Sequence, residues 1–299
     1  MKTVKAPREV REITDRLKRD GASVGLVPTM GALHEGHASL VRLARSRSDF
    51  VVASIFVNPK QFGPREDLGR YPRSFDGDRR LLESLGCDLL FAPADRDLYS
   101  SGDRTRVAVE GLSDALCGAS RAGHFHGVTL VVAKLFNIVR PDEAYFGQKD
   151  AQQAVIIQRM AADLDVPVRI VLGPTIREAD GLAMSSRNVY LDDSSRASAP
   201  AIYRSLRAAK ERIEAGDRDP VAVAAGVARM MREGGFDVEY ASVVDGAALG
   251  AIERIEGIVL VACAGSIGGT RLIDNIALRV AGTKVEEILL MFPEWSRYA

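Results

Sequence analysis

Two rhythms of apolar residues alternate through the first half of the chain. Short apolar runs with the pattern of buried strands cover Val24–Val27, Phe50–Val57, Leu89–Ala92, Ala144–Phe146 and Val168–Leu172. Between several of them lie longer amphipathic segments, at Ala38–Arg47, Asp76–Leu85, Val128–Ile138 and Ala151–Leu164. Strand followed by helix, repeated, predicts an α/β fold: a parallel sheet covered by helices on both faces. Ligands of such folds sit at the carboxyl ends of the strands, where the βα turns lie.

The pattern changes after about Asp180. Ser194–Ala215 and Val221–Glu233 read as helices, followed by strand-like runs at Val238–Val244, Gly257–Ala264 and Thr270–Leu278 that are most easily joined as a short antiparallel sheet. With the boundary near Ile176, residues 1–175 form a Rossmann-like unit and residues 176–299 a smaller α+β domain. One long connection, Asn58–Asp78, is punctuated by Pro59, Gly63, Pro64, Gly69, Pro72 and Gly77. Irregular stretches of that length inside a domain are lids or binding loops when ordered.

Composition narrows the class without naming it. At 299 residues the chain exceeds one ordinary hydrophobic core, and its 46% hydrophobic and 27% charged residues are those of a globular protein. Forty basic and forty acidic side chains cancel, which removes the overall footprint of a nucleic-acid binder. The longest apolar candidate for a membrane span, Val128–Val139, is too short and carries Lys134 and Asn137. Met1–Arg19 mixes both charge signs and lacks the apolar stretch of a secretory signal. Cys87, Cys117 and Cys263 are distant and odd in number, fitting neither a disulfide framework nor a zinc site, and point to a reducing cytoplasm.

The most informative stretch, Val27-Pro-Thr-Met-Gly-Ala-Leu-His-Glu-Gly-His37, leaves a strand, turns at Gly31 and opens a helix near Gly36. The free N–H groups and positive dipole end of such a helix start make a ready anion site. His34 and His37, three apart, can project to one place and donate hydrogen bonds to phosphate oxygens, and near-neutral pKa values would let either carry some positive charge. A structural turn with two surface histidines is the plainer alternative, disfavoured by the strand, glycine turn and helix start around it. The other two of four histidines lie in Arg121-Ala-Gly-His-Phe-His-Gly-Val128, ahead of a buried helix. Of these, His126 reads more as a surface residue, and a solvated turn explains the segment equally well.

Two further clusters suit phosphate. In Ala144-Tyr-Phe-Gly-Gln-Lys-Asp150, Lys149 stands at a helix start, where its charge opposes the helix dipole unless an anion lies near; a solvent-facing lysine is the alternative. In Ala183-Met-Ser-Ser-Arg-Asn188, two hydroxyls precede a guanidinium able to make a forked contact, although a helix cap would explain Ser-Ser as well.

Taken in order, P-T-M-G-A-L-H-x-G-H, F-V-N-P-x-Q-F, G-H-F-x-G-V, F-G-Q-K-D-A-Q-Q, M-S-S-R-N and T-R-L-I-D-N resemble the pantothenate synthetase (pantoate–β-alanine ligase) family, from about Val27 to Asn275. That family is related to class I aminoacyl-tRNA synthetases and other nucleotidyltransferases. Two departures stand out: Ala122 replaces the usual proline after Arg121, and Ser266-Ile-Gly-Gly-Thr270 differs from the commoner run before T-R-L-I-D-N.

The resemblance implies condensation of (R)-pantoate with β-alanine, using ATP and Mg²⁺ and passing through a pantoyl adenylate to pantothenate, AMP and pyrophosphate. By correspondence, His34, His37, Lys149, Ser185, Ser186 and Arg187 contact ATP phosphates, with His37, His34 and Lys149 as the catalytic set. Met30, Gly31, Ala32, Leu33, Glu35, Gly36, Gly147, Gln148, Asp150, Ile176 and Met184 complete the nucleotide site, partly through backbone groups. Gln61 and Gln153 are assigned to pantoate, Gln61 also lying near the β-alanine position, with Asn58, Tyr71 and Arg121 as further substrate contacts. Asp78 is the candidate Mg²⁺ contact, unless ATP itself holds the metal. The resemblance also implies that the second domain closes over the ATP site of a cytoplasmic homodimer, with no nucleic-acid or membrane partner. The rivals are a nucleotidyltransferase with a phosphate-ester acceptor, an aminoacyl-tRNA synthetase, and a catalytically silent nucleotide-binding protein on the same fold.

Overall fold

A computed structural model describes residues 1–64 and 66–295; position 65, within the Asn58–Asp78 connection, and positions 296–299, at the end of the second unit, lie outside the described residues. Strands β1 (Lys2–Val4), β2 (Val24–Thr29), β3 (Phe50–Ile55), β4 (Leu89–Phe91), β5 (Glu143–Gly147) and β6 (Arg169–Gly173) form one sheet in the order β1-β4-β3-β2-β5-β6. Every neighbouring pair is parallel. The alternation of side chains explains why both faces are covered. Leu26, Val52, Leu89, Phe146 and Leu172 enter the core beneath helices α1 (Pro7–Arg19), α6 (His124–Val139) and α7 (Ala151–Asp163). Their chain neighbours Val27, Val51, Leu90, Tyr145 and Val171 pack on the other face against α2 (Glu35–Arg45) and α3 (Phe75–Ser84).

The chain winds outward from β2 through β3 to β4, then returns to place β5 on the other side of β2. The carboxyl ends of β2 and β5 therefore flank the point where strand order reverses, the crevice in which open parallel sheets bind ligands.

Short helices α4 (Asp95–Leu98) and α5 (Cys117–Ser120) interrupt the stretch before α6. In the second half, α8 (Asp193–Ser198), α9 (Ala201–Glu214) and α10 (Pro220–Glu233) precede an antiparallel sheet of β7 (Asp237–Asp245), β8 (Gly257–Ile267), β9 (Thr270–Ala281) and β10 (Lys284–Glu287). One face of that sheet, with Val259, Val261 and Leu278, packs on Leu206 and Val227 of α9 and α10. The other face, with Leu260, Ala262 and Ala277, merges with the core of the first sheet.

The parallel sheet, its helices and the antiparallel sheet are as the pattern predicts; several details differ. The single helix expected over Ser194–Ala215 is two, because Pro200 has no N–H and breaks the ladder between α8 and α9. Helix α6 starts at His124 rather than Val128, after a left-handed turn at Gly123 with φ +80°. Neither β1 nor α1 is evident from the sequence pattern, because α1 buries only Val10 and Thr14 under a crowd of charges. The Val128–Val139 run lies inside α6 and is packed in the core, and no described helix is long and apolar enough to cross a membrane. All three cysteines are buried and free.

Helix α6 and the Asn58 loop meet at one close approach. The helix crosses the Pro59–Gln61 turn at Gly127, whose missing Cβ would stand 2.3 Å from the Lys60 carbonyl oxygen. The Gly127 carbonyl in turn accepts the Asn58 side-chain amide at 3.0 Å. Gly127→Ala is expected to cost about 1–3 kcal/mol through overpacking against backbone. Urea unfolding of the purified variant checks this, and wild-type stability would show that the turn yields freely.

Candidate active site

At the switch point opens a cavity of about 750 Å³, bounded by the ends of β2 and β5, the Asn58–Tyr71 segment, the start of α6 and the Pro174–Arg187 stretch. Most residues nominated from the sequence line it: Met30, His34, Gly36, His37, Asn58, Gln61, Tyr71, Arg121, Gly147, Lys149, Asp150, Gln153, Ile176, Met184, Ser185, Ser186 and Arg187. Gly31, Ala32, Leu33, Glu35, Gln148 and Asp78 do not line it.

The first wall is the turn after β2. Gly31 (φ +81°) and Ala32 (φ 50°) both lie in the left-handed region, which a non-glycine residue occupies only when its surroundings compel it. Asp78, buried on α3, compels it: its two carboxylate oxygens accept the N–H groups of Ala32 and Leu33, each at 2.8 Å. Burial raises the Asp78 carboxyl above its ordinary value against the pull of those two bonds. Asp78, the candidate Mg²⁺ contact, does not line the cavity, and each of its oxygens accepts one N–H of the motif backbone. Among the described residues no group of three or more His, Cys, Asp and Glu side chains could hold a metal ion. Glu35 is exposed, pairs with Arg42 and does not line the cavity.

The turn ends in a reciprocal cap on α2. His34 Nδ1 accepts the Gly36 N–H at 3.2 Å, and His37 Nδ1 accepts the His34 N–H at 3.3 Å, with the rings 4.2 Å apart. Two nitrogens that accept carry no proton, so each neutral ring holds its hydrogen on Nε2. Burial first, then the charge of Lys149, brings the His34 pKa down to about 4; burial, then His34, brings that of His37 down to about 3. The positive charge expected of them near neutral pH is therefore absent: they are neutral N–H donors on the cavity wall.

The second wall follows β5. Lys149 lies on the cavity, where among the described residues Asp150 is its acidic neighbour, at the ion-pair limit of 3.9 Å. The backbone beneath it is held from β9 of the second unit, where the Asn275 amide donates to the carbonyls of Gln148 and Lys149 at 3.1 and 2.8 Å. Gln148 turns away from the cavity, its side chain accepting the Leu290 N–H at 3.1 Å. Beside Asn275, buried Asp274 takes a forked ion pair from Arg177 at 2.6 and 3.0 Å, so the T-R-L-I-D-N run clasps the two sheets together.

The third wall is the loop from Asn58. Gln61 is buried, its amide oxygen accepting from Asn58 at 3.0 Å and its amide nitrogen 3.2 Å from the Met30 sulfur. Asn58 thus orients Gln61; its own oxygen accepts the Lys60 N–H and the Tyr99 hydroxyl. Behind them His124 donates from Nδ1 to the Gln61 carbonyl at 2.8 Å and accepts from Arg121 on Nε2 at 3.0 Å. Burial, then Arg121, keeps the His124 pKa at about 4. Arg121 forks onto Glu66 at 2.9 and 2.5 Å, and Arg187 forks onto Asp67 at 2.9 Å through both arms. Sequence reasoning misses Glu66, Asp67, Asp274 and Asn275 as site residues; acids in a Gly/Pro loop carry no motif, and their arginine partners are distant in the chain.

The family model of pantoate–beta-alanine ligase matches residues 2–277. The chain belongs to the pantoate–β-alanine ligase family. It is 51% identical over 272 residues to the pantothenate synthetase of Moorella thermoacetica, covering 91% of this chain and 96% of that one. The crystal structure of pantothenate synthetase from Thermus thermophilus superposes with a TM-score of 0.87 at 45% identity, covering 92% of this chain and 98% of that one. A family member from Francisella tularensis, 33% identical with a TM-score of 0.77 and covering 92% and 97% of the two chains, was crystallised in complex with beta-gamma ATP and β-alanine.

In this ligase fold, three half-buried neutral histidines make a pH signature. The unfolded chain takes up protons near the ordinary histidine pKa of 6.5, whereas the folded sites stay neutral until about 4 or 3. Unfolded protein then binds more protons, so stability must fall as pH drops through that window. Between about pH 7 and about pH 5 the carboxylates Glu66 and Asp67, held below their ordinary values, do not contribute. Urea unfolding across that interval is expected to show stability falling with acid, and falling less in His37→Gln. An unchanged slope in the variant would contradict the neutral assignment.

Proposed function

We propose that this chain joins (R)-pantoate to β-alanine in two steps, forming pantoyl adenylate and pyrophosphate from ATP and then pantothenate and AMP. The observation that carries this reading is the convergence of two neutral Nε2–H donors, Lys149 and the Ser185–Arg187 run on one cavity at the switch point. A carboxylate cannot expel oxide when an amine attacks it, but its adenylate expels AMP. Pantoate is ionised near neutral pH and needs no general base to attack the α-phosphorus. The site must align the reactants and stabilise charge as pyrophosphate leaves. His34, His37, Lys149, Ser185, Ser186 and Arg187 are the proposed phosphate contacts, with Met30, Gly36, Gly147, Asp150, Ile176 and Met184 holding the rest of the nucleotide. Gly31, Ala32 and Leu33 act by shaping the turn.

Gln61 and Gln153 are the proposed pantoate contacts, since an amide bonds a hydroxyl and a carboxylate without adding charge. Tyr71 and Arg121 support the same pocket. The described residues offer Mg²⁺ no cluster of their own, so the metal is proposed to arrive on the ATP phosphates. Residues 1–175 and 176–299 are read as a catalytic unit and a smaller unit closing over the nucleotide, in a cytoplasmic homodimer.

Two measurements test this. Lys149→Ala is expected to lower pantothenate formation about 10²–10³-fold in folded protein, the usual cost of losing one preorganised charge-stabilising donor; near-normal turnover would remove Lys149 from the mechanism. Labelled pyrophosphate is expected to exchange into ATP with pantoate present and β-alanine absent. Strict dependence on β-alanine, or release of ADP, would rule out the adenylate, and exchange without pantoate would point to a different acceptor.

A further inference from the structure

Two of the groups proposed to bind ATP phosphates, Ser186 and Arg187, are engaged by one short stretch of the Asn58–Asp78 loop. Arg187 donates its Nε and Nη2 hydrogens to the two oxygens of Asp67. Ser186, its neighbour, shares a 3.0 Å hydrogen bond with the Tyr71 hydroxyl. The Tyr190 hydroxyl donates to the Arg70 carbonyl at 2.7 Å, and the Arg187 guanidinium carbon sits 5.4 Å from the centre of the Tyr71 ring. Asp67–Tyr71 therefore lies along Ser186–Tyr190, with a carboxylate in the arginine fork and a hydroxyl on the serine.

A carboxylate in a guanidinium fork offers the same pair of acceptor oxygens as the edge of a phosphate. The same two N–H groups cannot serve both. A triphosphate arriving beside Asp67, whose side chain is only 12% exposed, would also meet like-charge repulsion with little water to screen it. We propose that Asp67 is a phosphate surrogate: it latches the loop onto Arg187 and leaves the fork when ATP phosphates enter, so nucleotide binding and loop docking compete for one guanidinium. The proposal rests on the reading of Arg187 as a phosphate contact.

The rest of the loop has separate anchors. Glu66 is held by Arg121, and Gln61 by Asn58 and His124. Opening the latch thus frees Asp67–Tyr71 while leaving the pantoate-facing Gln61 where it is. Competition of this kind is reciprocal: whatever factor the latch takes from ATP affinity, ATP takes from loop docking.

The test is MgATP binding to the full chain without pantoate, by calorimetry. Asp67→Asn keeps the shape and removes the charge, and is expected to tighten ATP about fivefold or more, the lower end of ordinary coupling between sites. Arg73→Gln removes the hydrogen bonds to the Leu68 and Tyr71 carbonyls, loosening the same loop away from Arg187, and is expected to leave ATP affinity within about twofold, which separates the latch from general loosening. Unchanged or weaker ATP binding in Asp67→Asn would overturn the surrogate and make Asp67 a residue that merely orients Arg187. Arg187→Ala distinguishes the two levels of failure: if it does not weaken ATP, the phosphate reading itself falls. Wild-type protein gives a readout free of variants: ATP alone is expected to speed tryptic cutting after Arg70, and equal or slower cutting would count against release of the loop.

Discussion

The catalytic half of this fold hangs on one carboxylate. Asp78 accepts two backbone N–H groups from a turn that places Gly31 and Ala32 consecutively in the left-handed region. A non-glycine residue there costs about 1–2 kcal/mol. The two hydrogen bonds hold the turn against that cost, although burial of the carboxylate offsets part of what they contribute. The bend is what delivers His34 to the first position of the α2 cap. The Cβ that glycine omits matters as well: at Gly31 it would lie 3.0 Å from the carboxylate that holds the turn. From that single contact between α3 and the end of β2 come the cap, the tautomers of both histidines and the direction in which the site presents its N–H groups.

Much of this was legible in the sequence because strand and helix periods are local. The five strands around the crevice and the glycine turn after β2 follow from residues within a few positions of one another, and so does the helix start that faces the cavity. What depended on distant partners was not. Asp78 reads as a candidate metal contact, and its hold on the motif backbone shows only once α3 is seen to lie against the turn. Asp67 and Glu66 look like solvating charges in an irregular loop until Arg187 and Arg121 are found opposite them. The histidines misled in a different way, since their type suggests a titrating charge while burial decides that they hold none. Helix α1 escaped because two buried positions among so many charges do not make a periodic stripe.

Neutral histidines change how charge is arranged in the cavity. Cations there are largely matched: Arg121 with Glu66, Arg187 with Asp67, and Arg271 with Glu239. Lys149 has Asp150 only at the edge of ion-pair range, and Arg70, which also lines the cavity, lies over the Tyr190 ring. A cavity built this way avoids concentrating several bare positive charges, which would repel one another and hold tightly to any anion. Oriented N–H donors do not add net charge, yet they favour charge that develops near them, which suits stabilisation of a leaving group over retention of it.

The second sheet completes the site rather than merely covering it. Asn275 fixes the two carbonyls under Lys149, and the Arg177–Asp274 fork ties the start of the Ile176–Arg187 stretch to the same strand. Lys149 and Arg187, which approach the cavity from separate sequence segments, are thereby referred to one rigid β9. That common footing is what the T-R-L-I-D-N run, with no cavity-facing cation of its own beyond Arg271, supplies to the two cations. Preorganisation of that kind is worth more than either charge alone, because a donor held in place needs no reorganisation when the leaving group forms.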